Sequence, residues 1–431
     1  MTIDYATTTD TFQTSLEHSY QLLTKTGGLQ NLRSKAWEKF LESGLPSRQN
    51  EHYRDISLHK LYSQAYELAK KTTISPRDID PHILPECSQS VLVFINGYFS
   101  TDLSRIDQIP AQVIIASLDK AMSTYAGFIT HQWNKTLKDV CDPFAALNGA
   151  LHADGLFLYL PPKTLVGCQI QFLNIIDESS TPTLVVPRIQ VYAGSNTKSS
   201  FISTKASLSP RHCLNMMVDI SLEECSSVTY TQIEDHALMD AWHFDSMHAT
   251  LKRDASLKTI AVTKGAQTAR YDYHVALIGE NAEANLNGIW MLSEKREAHT
   301  RVLIDHQAPN CRSMQLFKGV LNDCGRSSFE GKIIVQKPAQ KTEAFQLNQN
   351  LLLNVGAHAD SRPNLEIFAD DVKASHGSTI GQLDEEHIIY MKMRGFDENT
   401  AKNLLVNGFC QEITDMISIP SFHQKKKQLD H

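Results

Sequence analysis

The sequence predicts a mainly β protein with helices at both ends, and three observations predict it. From about Gly155 onward, short β-branched and aromatic runs follow one another: LFLYL, TLVVPRIQVYA, NMMVDISL, SVTYTQI, SLKTIAVT, RYDYHVALIG, LNGIWML, TRVLIDH, MQLFKGVL and GKIIVQK. Small polar breaks separate them, as an alternation of strand and turn requires. The later breaks fall near Asp254, Gln267, Asn281, Glu297, Arg312 and Gly325, at gaps of 13, 14, 16, 15 and 13 residues. No helix-length amphipathic pattern lies between the runs, so a doubly wound α/β fold, which needs crossover helices, is excluded. The near-regular spacing points to a solenoid, whose coils bury their faces only by stacking. An antiparallel sandwich or a barrel accommodates the same strands and stays open at this point.

Ahead of the core, Phe12, Leu16, Tyr20 and Leu23 recur at helical spacing behind a Thr9-Asp10 cap, with Gly27-Gly28 as the stop. Leu32, Ala36, Phe40 and Leu41 form a second amphipathic set closed by Gly44 and Pro46. SRQNEHYRDISLHKLY reads as a connecting helix and loop, and VLVFINGYF (Val91–Phe99) as a strand and turn. Beyond the core, Asp384 caps a helix carrying Ile388, Ile389 and Met393, which Gly395 stops. Asp397 caps another, with Ala401, Leu404, Leu405, Phe409 and Ile413 on one stripe. That hairpin has more apolar face than two short helices need for each other, so it must dock on the β-core or on a partner. The expected organisation is a helical region over 1–85, a β-core over 86–380 with a mixed entry segment to about 150, and a helical domain over 381–431.

Composition narrows the function. Hydrophobic residues at 42% and charged residues at 21% describe an ordinary folded chain. A net charge of −7 lacks the basic footprint of a nucleic-acid binder, and Lys425-Lys426-Lys427 reads as a solvated terminus. No apolar run reaches the ~18 residues of a membrane span. MTIDYATTTD has neither the basic nor the apolar segment of a secretory signal, so the expected location is the cytoplasm. The 8 cysteines are scattered without a CxxC pair, which argues against an enclosed zinc or iron–sulfur site. Most are expected as small buried hydrophobes.

Several motifs are weak. GSNTKSS (Gly194–Ser200) lacks the second glycine of a phosphate-cradling loop, and HExxH and GxSxG are absent. His236, His243 and His248, interleaved with Asp235, Asp240 and Asp245, lack a fixed ligand spacing and are expected as solvated loop residues. His299 and His306 should point to opposite faces of a strand, with one of them buried. Asp370-Asp371 could serve a polysaccharide-cleaving solenoid, but adjacent strand residues face opposite ways and no second acidic pair recurs. His376 differs. It precedes Gly377 in what reads as a polar surface turn, where an imidazole is exposed and a good iron ligand.

These residues carry a resemblance. ADDVKASHGSTIGQLDEE (Ala369–Glu386), preceded by PNLEI and by AQKTEAFQLNQNLLL (Ala339–Leu353), closely resembles the SufB/SufD family of iron–sulfur cluster assembly proteins. The HGST-x-GQLDEE form is similar to SufD. Weaker echoes lie in GLPSRQNEHYRD (Gly44–Asp55), PFAALNGALHADGLFLYLP (Pro143–Pro161) and HQAPNCRSMQLFKGVLND (His306–Asp323), so the resemblance spans nearly the whole chain. It implies a right-handed parallel β-helix core, pairing with SufB through the β-helices, and attachment of the ATPase SufC to the C-terminal helices. It implies a scaffold without catalysis of its own, with no cofactor stably bound by the isolated chain and a transient Fe–S cluster formed at the SufB interface. His376 matches the family histidine of that site, and Tyr390, Met393, Arg394, Gly395, Phe396, Leu404, Leu405 and Phe409 fall in the ATPase-binding region. Many SufD chains carry Cys before the Ser-His of this turn; Ala374 stands here, so iron ligation would rest on His376. A SufB-like or homodimeric scaffold of the same pathway is the alternative, with a carbohydrate-active β-helix enzyme behind it.

Overall fold

The computed structural model describes residues 5–23, 29–139, 142–177, 181–209, 211–234 and 240–429. It decides for the solenoid. An 11-stranded and a 10-stranded sheet face each other, and successive strands along the core alternate between them. Ser256–Thr263 pairs in parallel with Ser227–Glu234 on one side and Glu283–Leu292 on the other. Asp240–Leu251 and Thr268–Leu277, which flank it in sequence, pair with each other in the opposite sheet. About 8 turns stack in this way. The 13-to-16-residue gaps are therefore half-coils.

In six successive coils one corner is turned by a residue in the left-handed region. Asn196, Cys225, Asp254, Asn281, Asn310 and Lys341 have φ of 61°, 58°, 56°, 60°, 60° and 58°. Non-glycine residues adopt this conformation at a cost, which Asn and Asp bear best. The cost is offset along the column, because each backbone N–H donates to the corner of the next coil: Cys225 to the Arg253 carbonyl at 2.9 Å, Asp254 to Glu280 at 3.0 Å, Asn281 to Pro309 at 3.1 Å. Inside, equivalent positions stack coil on coil, as in Val218, Met247, Tyr273 and Val302, all buried in one continuous core.

The two ends differ. At the N-terminal end, Val91–Ile95 turns through Asn96-Gly97 into the antiparallel strand Tyr98–Arg105, and Ile114–Ser117 runs antiparallel to Leu156–Leu160. The helix Leu118–Asp139 packs there with Trp133 and Ile129 against Phe157 and Tyr192. The helix Pro143–Leu151 is buried at every residue, with Phe144 stacked on Phe244 at 3.6 Å. At the C-terminal end, His358–Ile367 and Val372–Gln382 are the outermost strands of their sheets. Ile367, Phe368 and Ile380 remain 40%, 59% and 47% exposed there.

The N-terminal helices are Tyr5–Leu23 and Gln30–Ser43. The first begins before Thr9-Asp10, so that pair lies inside the helix and does not cap it, while Gly27-Gly28 falls outside the described residues. Leu32, Ala36 and Phe40 are buried as expected, but Leu41 is half exposed because it sits one position round from that stripe. The connecting segment lies over the outer face of one sheet and fastens to it by charge. Tyr53 donates to Asp142 at 2.6 Å, Arg270 bridges Asp142 and Asp272 at 3.0 Å, Arg301 reaches Asp272 at 3.2 Å, His52 meets Glu330 at 2.7 Å, and Asp55 pairs with Arg362.

Candidate functional site

His376 lies in the middle of the strand Val372–Gln382, paired in register with Thr342–Leu352. The polar turn expected around it is displaced: the chain turns at Phe368–Asp371, and ASHGSTIGQ continues as strand because the sheet beneath supplies a partner for its backbone. Asp370-Asp371 therefore sits on a corner. In register, His376 lies over Gln346, which lies over Gln315; these two are 3% and 1% exposed. His376 occupies the same inward-facing parity but is exposed, because no further coil covers it. Its neighbour on that face, Ala374, packs partly against Ala344 and Ile333. The imidazole thus stands on an open coil, beside backbone groups that face outward along a free sheet edge.

The C-terminal hairpin begins two residues after this strand. Asp384 caps Glu385–Met393 by accepting from Glu386 N–H at 2.8 Å, and Asp397 caps Glu398–Thr414 by accepting from Asn399 and Thr400 N–H at 3.0 Å each. Gly395 turns between them at φ 96°, a conformation that glycine adopts without strain. The eight residues proposed as partner contacts divide. Tyr390, Met393, Phe396 and Leu404 are exposed at 54%, 81%, 43% and 44%, and Arg394 lies over the Tyr390 ring with its guanidinium donating to the hydroxyl at 2.7 Å. Leu405 is half-buried. Phe409 faces inward: its carbonyl accepts from Lys318 at 3.0 Å, and it packs with Cys410, Ile413 and Ile417 onto Ile260, Ile289 and Leu316. The hairpin docks on the β-core with one face and leaves another uncovered.

With this geometry in place, comparison with known proteins decides the family. Residues 174–409 match the description "SUF system FeS cluster assembly, SufBD core domain", and residues 8–172 match "SufBD protein N-terminal region". The chain belongs to the SufBD family. It is 28% identical to an iron–sulfur cluster assembly SufBD family protein of Synechocystis over 93% of this chain and 90% of the relative. It is 35% identical to the iron–sulfur cluster assembly protein SufD of Escherichia coli, over 41% of each chain. A SufBD family protein of Mycobacterium leprae is 35% identical over 48% of this chain and 55% of that protein.

The remaining sequence candidates land elsewhere in the SufBD fold. His243 and His248 are not on a solvated loop: both lie in Asp240–Leu251, His243 buried and His248 half-buried, because that polar-looking stretch is a strand packed on both faces. Asp235 and His236 lie outside the described residues, and Asp240 is exposed. Burial pushes the His248 imidazole down to about 3, with His274 adding repulsion. His299 and His306 do face opposite ways, yet both are buried, His306 in the interior and His299 under the connecting segment. Among the described cysteines, Cys87, Cys213, Cys311 and Cys410 are buried, Cys168 is intermediate, and Cys225 and Cys324 are exposed at corners.

The sequence reading missed the outer charge ladder and a buried ionic cluster around Lys205. A signal for both was available. Asp272, Arg301 and Glu330 recur every 29 residues, as do Lys205, Glu234 and Thr263. That interval is one coil, so each set lies side by side in register.

Proposed function

We propose that this chain is a non-catalytic, cytoplasmic scaffold subunit that pairs with a SufB-type partner through its open last coil and holds a SufC-type ATPase on the exposed face of its C-terminal hairpin. The observation that carries this reading is the uncovered coil. A solenoid end with free edge hydrogen-bonding groups and exposed Ile367, Phe368 and Ile380 is suited to receive a second sheet. His376 stands in that seam. A single imidazole is one ligand of iron, so the remaining ligands of a nascent cluster would come from the facing chain, and a site shared in this way releases its cargo more readily than four thiolates of one chain. The hairpin supplies Tyr390, Met393, Phe396 and Leu404 as an apolar surface rimmed by charge, the composition of a protein interface.

Purification of a tagged chain co-expressed with SufB and SufC tests the reading. Recovery of neither protein would sink it. Met393→Asp should remove the ATPase and spare the SufB partner, whereas His376→Ala should leave both bound and lower the maturation of Fe–S enzymes in cells. Full maturation with His376→Ala would take the imidazole out of the site while leaving the scaffold role standing.

A further inference from the structure

Inside the solenoid, the apolar core is interrupted at one corner by ionisable side chains. Lys205 pairs with both Glu234 and Asp245, and these side chains are 8%, 6% and 5% exposed. Glu234 also accepts from the Tyr271 hydroxyl and from Thr263 Oγ1, and lies 3.0 Å from His243 Nδ1. His243 Nε2 in turn faces His212 Nε2 at 3.0 Å, and His212 Nδ1 lies 3.1 Å from the Ser209 carbonyl.

The hydrogens on these contacts can be counted. A carbonyl accepts and never donates, so His212 Nδ1 carries a hydrogen. The Ser207 hydroxyl cannot replace that donor, because its own hydrogen goes to the same carbonyl. Burial pushes the His212 imidazole down to about 3, so with its hydrogen on Nδ1 this ring is neutral and its Nε2 is bare. The contact between the two rings then takes its hydrogen from His243 Nε2. Glu234 takes the Lys205 ammonium on one oxygen and the Tyr271 and Thr263 hydroxyls on the other, so it stands as a carboxylate that accepts from all three and has no hydrogen to give. His243 Nδ1 must donate as well.

We propose that His243 is a buried imidazolium and completes a four-charge lock, Lys205 and His243 against Glu234 and Asp245, that fastens this corner of the solenoid. Two cations face two carboxylates, which leaves no net charge in the interior, as the cost of burying charge demands. Asp245 is the loosest member: burial pushes it up, Lys205 pulls it back, and its Oδ1 has no hydrogen-bond partner in the described structure. The lock ties together Lys198–Ser207, Arg211–Leu222, Ser227–Glu234, Asp240–Leu251 and Thr268–Leu277. It also lies directly behind the docking platform of the C-terminal helices, since Ile202 and Ile233, from two of these strands, pack outward with Ile413 and Ile417.

Charge accounting in the full chain tests it. Asp245→Asn leaves one surplus cation, His243→Gln leaves one surplus anion, and the double variant leaves Lys205 paired with Glu234. Each single variant should melt several degrees below the parent, and the double variant above either single. If His243 were neutral, Asp245 would be the surplus charge, and D245N melting at or above the parent temperature would overturn the lock. Nitrogen-15 NMR of histidine-labelled parent protein reads the ring directly, with the His243 signals identified as those lost in H243Q. Hydrogen on both ring nitrogens is the expected result, and a bare nitrogen refutes it. Should H243Q fail to fold, D245N alone decides.

Discussion

The two ends of the solenoid solve the same problem in opposite ways. At the N-terminal end, the antiparallel hairpin Val91–Arg105 brings Phe94 and Phe99 into the same core as the interior aromatics Phe172 and Phe201, which are stacked at 5.1 Å and fully covered, while the buried helix Pro143–Leu151 shields the outer face against Trp242 and Phe244. At the C-terminal end the last strand carries the polar Ser375, His376, Ser378 and Thr379, and no further coil covers it. A repeat array needs a polar or protected terminus to stay soluble. One end achieves this with covering elements and the other with composition, and composition leaves the edge free to accept a partner. The difference teaches where stability and where recognition reside.

Variants along the axis can break or sharpen this contrast. The largest effect belongs to the closed end: Phe172→Ala should cost about 3–5 kcal/mol in chemical denaturation, since the surrounding coils cannot collapse into the cavity. A loss under 1 kcal/mol would mean that the closed end is loosely packed. Next comes the outer ladder, where Arg270→Met strands Asp142 and Asp272 without their shared cation and should cost about 3 kcal/mol or more. Unchanged stability would show that the connecting segment is held by packing alone.

Acidification is expected to act on the same ladder more gently. Asp272 is buried and Glu330 partly so, which by itself would raise them, but Arg301 and Arg270 outweigh burial for the first and His52 and Arg301 for the second, so both are lowered. Asp55 is likewise lowered, through Arg362, despite its burial. Groups depressed in the folded state stabilise it above the ordinary carboxylate range near ~4, and that contribution is lost as pH falls through the depressed values. Amide exchange over residues 51–58 should therefore accelerate below about pH 4 before the core strands open. Simultaneous release of core and segment would show that the ladder is not what holds the segment. The smallest effect belongs to the open end: Ile380→Ala should change stability by no more than ~0.5 kcal/mol. A larger loss in the isolated chain would mean that the last coil is covered after all.

Much of this was legible beforehand. The half-coil spacing, the Asn96-Gly97 hairpin turn, the Asp384 and Asp397 caps and the surplus apolar face of the hairpin depend on neighbours in sequence, and each stands where the residues put it. His376 was found for a partly wrong reason. Its local sequence reads as a turn, yet the free edge of Thr342–Leu352 draws it into strand. The buried histidines were misplaced because solvent exposure was inferred from polar neighbours, and in a solenoid those neighbours are buried under other chain segments or against each other.

What the sequence by itself determined is local and periodic: which residues form strands, where corners recur, and how the final helices begin and stop. Hydrophobic alternation, left-handed corner residues and capping side chains act over a few residues, so they can be read without the fold. Tertiary structure alone decided which charges meet. Lys205, Glu234, Asp245 and His243 come from three strands, and Asp142, Arg270, Asp272 and Arg301 from distant segments. Their state depends on partners one coil away and on removal from water, and both exist only once the coils have stacked.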